Sequence, residues 1–358
     1  MACAAFQVAA PRKDDCVNIS VVIPARNAAG YLPRCLAALA ASTRRPNEIL
    51  VVDDRSTDSG AMVAELSGAR VIRMDAPGRG PAAARNRGAQ AARGDVIAFV
   101  DADTAVHADA LALAEKALSA DSQVAACFGS YDDTPAARNP VSLYRNLLHH
   151  YVHQHSAEEA WTFWAGCGMI RKRDLTAVGG FDEAYVEPSI EDIELGYRLC
   201  SSGRRVRLLK AMQSTHLKPW TLREMLRTDL LSRAAPWTRL ILRTRKVRGD
   251  LNLSWANRLS VMAVWGGVLG VCLAPFDVRL LIALPAGWGA AILLNIGFLR
   301  FLAQKGGPKL AAVGTGLHLL HLLCAGAGML MGLGFAVRDR FRRPTQPAAV
   351  PPATTRST

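Results

Sequence analysis

The stretch DVIAFVDAD, residues 95–103, decides the fold, because a short apolar run ends there in two carboxylates. Apolar runs of this length bounded by polar residues predict a buried strand, here over residues 95–100. Asp101 and Asp103 follow directly, where the strand ends. One such carboxylate can bind a ribose and the other a divalent cation, since Mg²⁺ and Mn²⁺ prefer oxygen ligands. The tripeptide alone is a weak signal, and a solvated turn is its commonest alternative.

The chain before this strand alternates short apolar runs with helical segments. Strands are expected at residues 19–23, 48–52, 70–74 and 95–100, and helices at residues 31–40, 60–66 and 81–92. This alternation predicts right-handed β-α-β units and a parallel sheet. Ligands bind beyond the carboxyl ends of strands in such sheets. We therefore expect an α/β sheet flanked by helices, with a ligand site at one edge.

Polar side chains gather at the same predicted edge. Arg26 follows the first strand, and Asp53 and Asp54 follow the second. One of residues 56–58 is expected to cap the next helix. Capping does not account for two adjacent aspartates, which we interpret as base or ribose contacts. An NAD-binding fold is excluded, because PARNAAG follows the first strand where G-x-G-x-x-G would be needed.

Two further candidates lie later in the chain. Glu191 and Asp192 begin a helix expected at residues 190–200. Carboxylates at a helix N-terminus gain about 0.3–1 kcal/mol from the helix dipole, so plain stabilisation and a catalytic role both stay open. His216 is likewise either a structural histidine or a ligand of metal or phosphate.

The C-terminal third contains three apolar stretches, residues 259–276, 280–301 and 310–337, each long enough to cross a bilayer. Residues 201–258 contain 14 Lys and Arg but only 3 Asp and Glu. A basic segment beside apolar helices indicates an anionic membrane surface, and no motif for nucleic acid accompanies it. Residues 222–241 have helical apolar spacing among arginines, which predicts an amphipathic helix in the interface plane.

The charge pattern also predicts the orientation. Basic residues precede the first apolar stretch, so the large domain is expected in the cytoplasm, on a multi-pass protein of the inner (plasma) membrane. Three crossings would place the basic tail outside, so we predict two or three, with the first stretch, as the shortest, the candidate for an interfacial segment. The eight cysteines form no C-x-x-C pair and predict reduced thiols. No signal peptide is predicted.

Five segments in this order resemble glycosyltransferase family 2 over residues 18–218. They are VVIPARNAAGYLPRCLAAL (21–39), EILVVDDRSTDSG (48–60), GRGPAAARNRGAQAARGDVIAFVDADT (78–104), GGFDE (179–183) and IEDIELGYRL (190–199). The resemblance implies a glycosyltransferase-A fold, a nucleoside-diphosphate sugar donor, Mg²⁺ or Mn²⁺ as cofactor, and inversion at the anomeric carbon.

The resemblance also implies roles for residues at matching positions. Asp192 matches the catalytic base, with Glu191 beside it, and Asp103 and His216 match metal or diphosphate contacts. The positions that match nucleotide-sugar binding are Pro24, Arg26, Asp53, Asp54, Arg85, Asn86, Asp101 and Gly166. Two departures are Ala28, where many members have Glu, and Ser232–Trp237, the nearest counterpart of the Q-x-x-R-W motif of processive synthases. We therefore expect a single sugar transfer and no polymer synthesis.

The expected organisation has five parts: a disordered start (1–17), a catalytic domain (18–218), a basic interfacial segment (219–258), a transmembrane region (259–337) and a disordered basic, Pro-rich tail (338–358). The expected acceptor is a lipid or polyprenyl phosphate. A non-catalytic membrane protein that binds a nucleotide sugar or a partner enzyme is the alternative. A nucleotidyltransferase would need a Gly-rich loop with Arg and Lys after the first strand, and PARNAAG lacks it.

Overall fold

The computed structural model describes residues 17–75, 79–245, 251 and 254–341. The predicted disorder of residues 1–16 and 342–358 falls outside the described residues, as do the basic residues Lys246 and Arg248. The strands are β1 (Ile19–Ala25), β2 (Glu48–Asp53), β3 (Arg70–Arg73), β4 (Val96–Val100), β5 (Thr104–Val106), β6 (Val124–Tyr131), β7 (Glu159–Ala160), β8 (Cys167–Arg171) and β9 (Arg205–His216).

The helices flank the sheet and then continue alone after the last strand. They are α1 (Leu32–Ala40), α2 (Gly60–Leu66), α3 (Gly80–Ala91), α4 (Ala110–Ala120), α5 (Pro140–His155), α6 (Lys172–Ala177), α7 (Glu191–Ser201), α8 (Leu222–Arg227), α9 (Ala235–Thr244), α10 (Trp255–Leu273), α11 (Ala283–Leu294) and α12 (Ile296–Phe341). A π-helical turn, Thr228–Ala234, joins α8 to α9. The predicted strands and helices of residues 19–100 are confirmed, with ends shifted by one or two residues.

The described strands form one sheet in the order β3-β2-β1-β4-β8-β6-β9-β5, with β7 paired to β9. The half made of β3, β2, β1 and β4 is parallel, as the sequence predicts. Helix α3 packs closely on this half because it is rich in small residues. A Cβ added at Gly88 would lie 2.3 Å from Cγ1 of Val22.

The other half of the sheet is mixed and was not predicted. Strand β8 lies antiparallel to both β4 and β6. Strand β9 runs parallel to β6 and antiparallel to β5. Because β5 begins one residue after Asp103, this pairing returns the end of β9 to the edge where β4 ends.

Residues 222–244 form a longer and less regular helical unit than the predicted amphipathic helix. The π-turn interrupts it, and Met225, Asp229, Trp237 and Leu240 are buried. Gly328 and Gly332 of α12 let that helix approach the π-turn and α9, since a Cβ on either would lie within 3 Å of residues 234–238. Part of the apolar side of this unit therefore faces protein.

Two described helices, Trp255–Leu273 and Ile296–Asp339, are long and apolar enough to cross a membrane. The middle apolar segment, Val278–Leu294, is shorter than both. The prediction that the first apolar stretch is the shortest is therefore wrong. The reason is a break at Asn295, after which the chain continues in α12.

Candidate active site

Arg85 on α3 connects the end of β4 to the start of α7. One guanidinium nitrogen donates to Asp101 Oδ1 at 2.9 Å, and another donates to Glu191 Oε1 at 2.7 Å. Arg85 is buried, and a buried guanidinium is stable only when its charge is paired. Burial opposes its charge, but Asp101 and Glu191 hold the pKa of Arg85 above its ordinary value. The bridge joins three segments that the sequence separates by up to 106 positions.

The backbone brings Asp101 and Asp192 to the same loop. The N–H of Asp101 donates to the carbonyl of Gly166 at 3.1 Å. The preceding N–H, that of Ala165, donates to Asp192 Oδ2 at 3.1 Å. A Cβ on Gly166 would lie 2.6 Å from the indole of Trp164, so glycine is needed where the loop passes this ring. Asp192, the predicted base, and Asp101, the predicted contact of the sugar donor, therefore both bind the segment at residues 165–166.

Asp192 is poised to exchange a proton near neutral pH. Burial raises its pKa to about 7, and the adjacent charge of Glu191 adds to the rise. Arg85 and the N–H groups of Ala165 and Ile193 act in the opposite direction. Glu191 differs, because one of its oxygens accepts from the buried guanidinium of Arg85 and the other from the N–H of Ser189, whereas both oxygens of Asp192 accept from backbone N–H groups. Of the two predicted catalytic carboxylates, Asp192 is the one suited to act as a base, and Glu191 is a structural partner of Arg85.

Asp103 and His216 come together through the pairing of β5 with β9. His216 pairs with Thr104, and its Nε2 lies 3.8 Å from Asp103 Oδ2. Burial raises the pKa of Asp103 to about 6, and the charge of Asp101 adds to it. Burial lowers the pKa of His216 to about 4, so its ring is neutral at pH 7. A carboxylate beside a second carboxylate and a neutral imidazole is a donor set that fits a divalent cation.

This set is incomplete without further ligands. Among the residues that the structure describes, no group of three or more His, Cys, Asp and Glu side chains could hold a metal ion by itself. Oxygens of a bound diphosphate would complete the coordination, as Mg²⁺ commonly binds through a few carboxylates and the substrate's phosphates. Asp103 and His216 thus fit a cation that binds together with a nucleotide.

Asp53 and Asp54 have structural partners that the sequence did not reveal. Asp53 Oδ1 accepts from the N–H of Ser56 at 3.0 Å. Asp54 accepts from the N–H groups of Arg79 and Gly80, at 3.2 and 3.1 Å, and so holds the start of α3. Gly80 has φ of +80°. Their assignment to nucleotide binding stays a prediction, and Asp54 also anchors the helix that carries Arg85.

The loops after β1 and β2 are fastened to each other. Asn27 Oδ1 accepts from the N–H of Thr57 at 2.8 Å. Asp58 accepts from the N–H groups of Ala29 and Gly60, both within 2.9 Å. It thus satisfies the first N–H of α2, although the N-cap position belongs to Ser59 and not to one of the predicted residues 56–58. Pro24 is the last but one residue of β1, and Arg26 is exposed beside these loops. A guanidinium at that position is free to meet a ligand at the sheet edge.

Asn86 holds the GGFDE loop. Its Oδ1 accepts from the N–H of Phe181 at 2.8 Å, and its Nδ2 donates to the carbonyl of Phe181 and to Glu183. Gly180 has φ of +74°, and a Cβ there would lie 2.6 Å from Asn86 Oδ1. The predicted nucleotide contact of Asn86 is untested, whereas its contact with the loop is direct.

The family model described as glycosyl transferase family 2 matches residues 20–179. This part of the chain is a family 2 glycosyl transferase domain. The mixed sheet with its flanking helices is the glycosyltransferase-A fold that the motifs implied.

The family 2 domain resembles two curated glycosyltransferases. Validoxylamine A glucosyltransferase of Streptomyces hygroscopicus subsp. limoneus is 30% identical over 226 residues, which cover 52% of this chain and 48% of that protein. Pre-mycofactocin glycosyltransferase of Mycobacterium tuberculosis is 30% identical over 224 residues, which cover 58% of this chain and 45% of that protein. The chain spans about half the length of the curated relatives it matches.

One solved structure aligns over most of the chain. It is the mannosyltransferase PcManGT of Pyrobaculum calidifontis in complex with GDP-Man and Mn²⁺, which covers 90% of this chain and 88% of its own. The TM-score is 0.49 and the sequence identity 18%.

Beside the family 2 domain's carboxylates lies an aromatic group that the sequence analysis did not single out. The ring of Tyr131 lies 4.8 Å from that of His216 and 4.8 Å from that of Trp164. Tyr131 ends β6, Trp164 precedes β8 and His216 ends β9, so sheet pairing assembles them.

Proposed function

We propose that the chain is an inverting, metal-dependent glycosyltransferase. It moves one sugar from a nucleoside-diphosphate sugar to an acceptor hydroxyl or phosphate at a membrane surface. The observation that carries this proposal is the bridge from Arg85 to Asp101 and Glu191, with bonds of 2.9 and 2.7 Å. The bridge connects Asp101, which is suited to contact the donor, to Glu191. Glu191 is the neighbour of Asp192, which is suited to act as the base.

The donor side of the reaction uses the edge where β1, β2 and β4 end. At this edge Arg26 and Asp53 would contact the nucleotide, and Asp101 would contact the ribose. Asp103 and His216 would hold Mg²⁺ or Mn²⁺, which when bound would neutralise charge on the leaving diphosphate. The raised pKa of Asp103 supports this assignment, because a cation would relieve the repulsion between the two carboxylates.

The acceptor side of the reaction uses Asp192. Its carboxylate takes the proton of the acceptor as the acceptor oxygen attacks the anomeric carbon opposite the leaving diphosphate. A general base acts best when its pKa is near the working pH, and the pKa of Asp192 is about 7. The N–H of Ala165 orients this carboxylate toward the loop that also contacts Asp101.

The membrane location rests on the helices after residue 254. Large apolar side chains of the α10–α11 region are exposed, including Trp255 (72%), Phe276 (87%) and Ile282 (71%). Apolar groups exposed on this scale mark a surface for lipid or for a partner. With the basic residues that precede them, they favour attachment to the inner membrane with the catalytic domain in the cytoplasm.

The deciding experiment measures nucleotide release by the purified full-length protein in detergent. A panel of nucleotide sugars is assayed with Mn²⁺, with Mg²⁺ and with a chelator. We expect one donor to be turned over only when a divalent cation is present. Asp192→Asn should then lower turnover by about 10²- to 10⁴-fold while donor affinity stays nearly unchanged, because the base acts in the transition state and not in donor binding.

The matched control is Asp109→Asn, which makes the same change at an exposed aspartate outside the site and should keep full turnover. An Asp192→Asn enzyme as active as the wild type would reject the assignment of the base. Binding of a nucleotide sugar without any turnover would instead favour the non-catalytic alternative.

A further inference from the structure

An open cavity separates the family 2 domain from the apolar helices. Its walls include Tyr131, Arg145, His216, Trp220, Arg233 and His321, and its volume is about 50 Å³. These residues come from β6, α5, β9, the loop before α8, the π-turn and α12. His216 belongs to the catalytic edge described above, whereas His321 lies on a helix that is apolar enough to span a membrane. The cavity therefore connects the proposed reaction centre to the membrane-facing part of the chain.

The cavity carries more positive than negative charge. Arg145 donates to Asp229 Oδ1 at 2.6 Å, and His321 Nδ1 lies 2.8 Å from Asp229 Oδ2. Burial acts to raise the pKa of Asp229, but Arg145 and His321 outweigh it and keep the pKa well below its ordinary value. Both oxygens of this carboxylate thus have partners, and Asp229 neutralises only one of the two arginines.

Arg233 is the arginine that Asp229 does not neutralise. It lies on the π-turn, four positions after Asp229, and it is only partly exposed. Within the described part of the chain it makes no hydrogen bond or ion pair. Its charge and that of Arg145 repel each other, and it is within electrostatic range of Asp192 and Tyr131. Holding a desolvated, unpaired guanidinium is unfavourable, so the position is suited to an anion supplied from outside.

The position and lining of the cavity indicate which substrate supplies that anion. The donor's diphosphate is already provided for at Asp103 and His216, on the sheet edge. The cavity shares His216 with that edge and is also lined by His321 of α12, so it adjoins the apolar helices as well as the donor edge. Trp220 stacks on Arg145 with 4.9 Å between the guanidinium carbon and the ring centre, so this wall is planar and amphipathic. A lipid with an anionic headgroup matches both the charge and the position of the cavity.

We propose that this cavity is the acceptor site and that it binds the phosphate ester headgroup of a membrane lipid through Arg233 and Arg145. The inference rests on the proposed function, because it names the acceptor class of the same reaction. Guanidinium groups bind phosphate oxygens in pairs with defined geometry. The headgroup would then lie within reach of Asp192, beside the edge that binds the donor.

The test measures binding to the full-length protein in detergent, without donor, by tryptophan fluorescence. The probes are farnesyl phosphate, farnesol and inorganic phosphate. We expect farnesyl phosphate to bind at least tenfold more tightly than either of the others. Arg233→Gln should weaken farnesyl phosphate binding at least tenfold, and Arg233→Lys, which keeps the charge, should weaken it less. Arg227→Gln is the matched control, because Arg227 is exposed on the adjoining helix α8, and it should bind as the wild type does.

Three results would overturn the inference. They are equal binding of farnesol and farnesyl phosphate, binding of inorganic phosphate as tight as that of farnesyl phosphate, or wild-type binding by a folded Arg233→Gln variant. Thermal melting establishes that each variant is folded, and Arg233→Lys gives the dependence on charge if Arg233→Gln fails to fold. Donor turnover by the wild type is measured separately. Turnover with no effect of Arg233 on farnesyl phosphate binding would reject the inference alone, and absence of turnover would reject the proposed function.

Discussion

At the scale of single residues, the site depends on charge pairs between segments distant in sequence. Arg85 pairs with Asp101 and Glu191, and Arg145 pairs with Asp229. The sequence predicted that Asp101 and Glu191 belong to the site, because they lie at a strand end and at a helix start, whereas Arg85 was assigned only through the resemblance to glycosyltransferase family 2. It did not predict Arg145 or Asp229, since a buried pair 84 positions apart leaves no local pattern.

Asp192 should set the pH dependence of the reaction. A base accepts a proton only as the carboxylate, which is the form populated above its pKa of about 7. We expect kcat/KM to rise with pH through about 7 and to level off above it, with a loss of nearly tenfold per pH unit on the acid side. The measurement is a rate profile of the wild type between pH 5 and 9 at saturating Mn²⁺.

A profile without change between pH 5.5 and 8 would contradict a raised pKa at Asp192. Circular dichroism at each pH serves as the control, because unfolding at low pH would also lower the rate.

At the scale of helices and strands, the sequence predicted the secondary structure well where buried strands are continuous apolar runs. The parallel half of the sheet consists of apolar runs between clear helices, and these runs predicted β1 to β4 nearly residue by residue. Strand β9 reads RVRLLKAMQSTH, whose charged residues conceal a strand that is buried on alternate positions only. Strand β8 lies in a Gly-rich run, where glycine is needed because Phe163 and Trp164 pack against the backbone. Tertiary packing decided both strands, so local propensity could not reveal them.

The GGFDE loop offers a matched pair of glycine substitutions. Gly179 and Gly180 have φ of +82° and +74°, so alanine is strained at either position by about 1–2 kcal/mol. A Cβ at Gly179 meets open space, whereas a Cβ at Gly180 would lie 2.6 Å from Asn86 Oδ1. We expect Gly180→Ala to lower the free energy of unfolding by about 1–3 kcal/mol more than Gly179→Ala does. Thermal or denaturant melting of both variants measures the difference.

Asn86 also holds the backbone of Phe181, so Gly180→Ala should lower turnover more than Gly179→Ala. Equal stability of the two variants would show that Asn86 and the loop can move apart without loss of stability, which would contradict the prediction.

At the scale of the whole molecule, the arrangement of the helices after residue 254 favours one of the two predicted numbers of membrane crossings. Helices α10 and α11 form a hairpin whose base is closed by the Asn295 side chain, which donates to Ser260 Oγ at 2.8 Å. Helix α12 is kinked at Gly307, whose φ is +74°. The part after the kink returns along the domain, with Lys305 paired to Asp133 just before the kink and Asp339 paired to Arg239 near the other end. A helix held to the domain near both ends does not leave it to cross a bilayer alone. We therefore expect two crossings, made by α10 and by the segment Val278–Leu294, which includes α11 and whose length is at the lower limit for crossing a bilayer.

The arrangement predicts which side of the membrane each segment faces. Helix α10 has 19 residues and is about 28 Å long at 1.5 Å per residue, close to the thickness of the hydrocarbon core. In sealed vesicles of defined orientation, Asp277→Cys at the hairpin tip should react with an impermeant maleimide from the side opposite the catalytic domain. Arg338→Cys near the end of α12 should react from the same side as the domain.

Ala41→Cys, on the exposed end of α1, marks the side of the domain, and the parent protein reports the reaction of native cysteines such as exposed Cys272. Labelling of Arg338→Cys and Asp277→Cys from one common side would contradict two crossings.

The short ladder between β5 and β9 makes chain length matter more than residue identity at this edge. Thr104, Ala105 and Val106 each face one residue of β9, in the order His216, Thr215 and Ser214. Side chains alternate between the two faces of a strand, so the gain or loss of a single residue here would turn the imidazole away from Asp103. Substitution along β5 by residues that fit the same space leaves this register intact, but an insertion or deletion of one codon would separate the two groups.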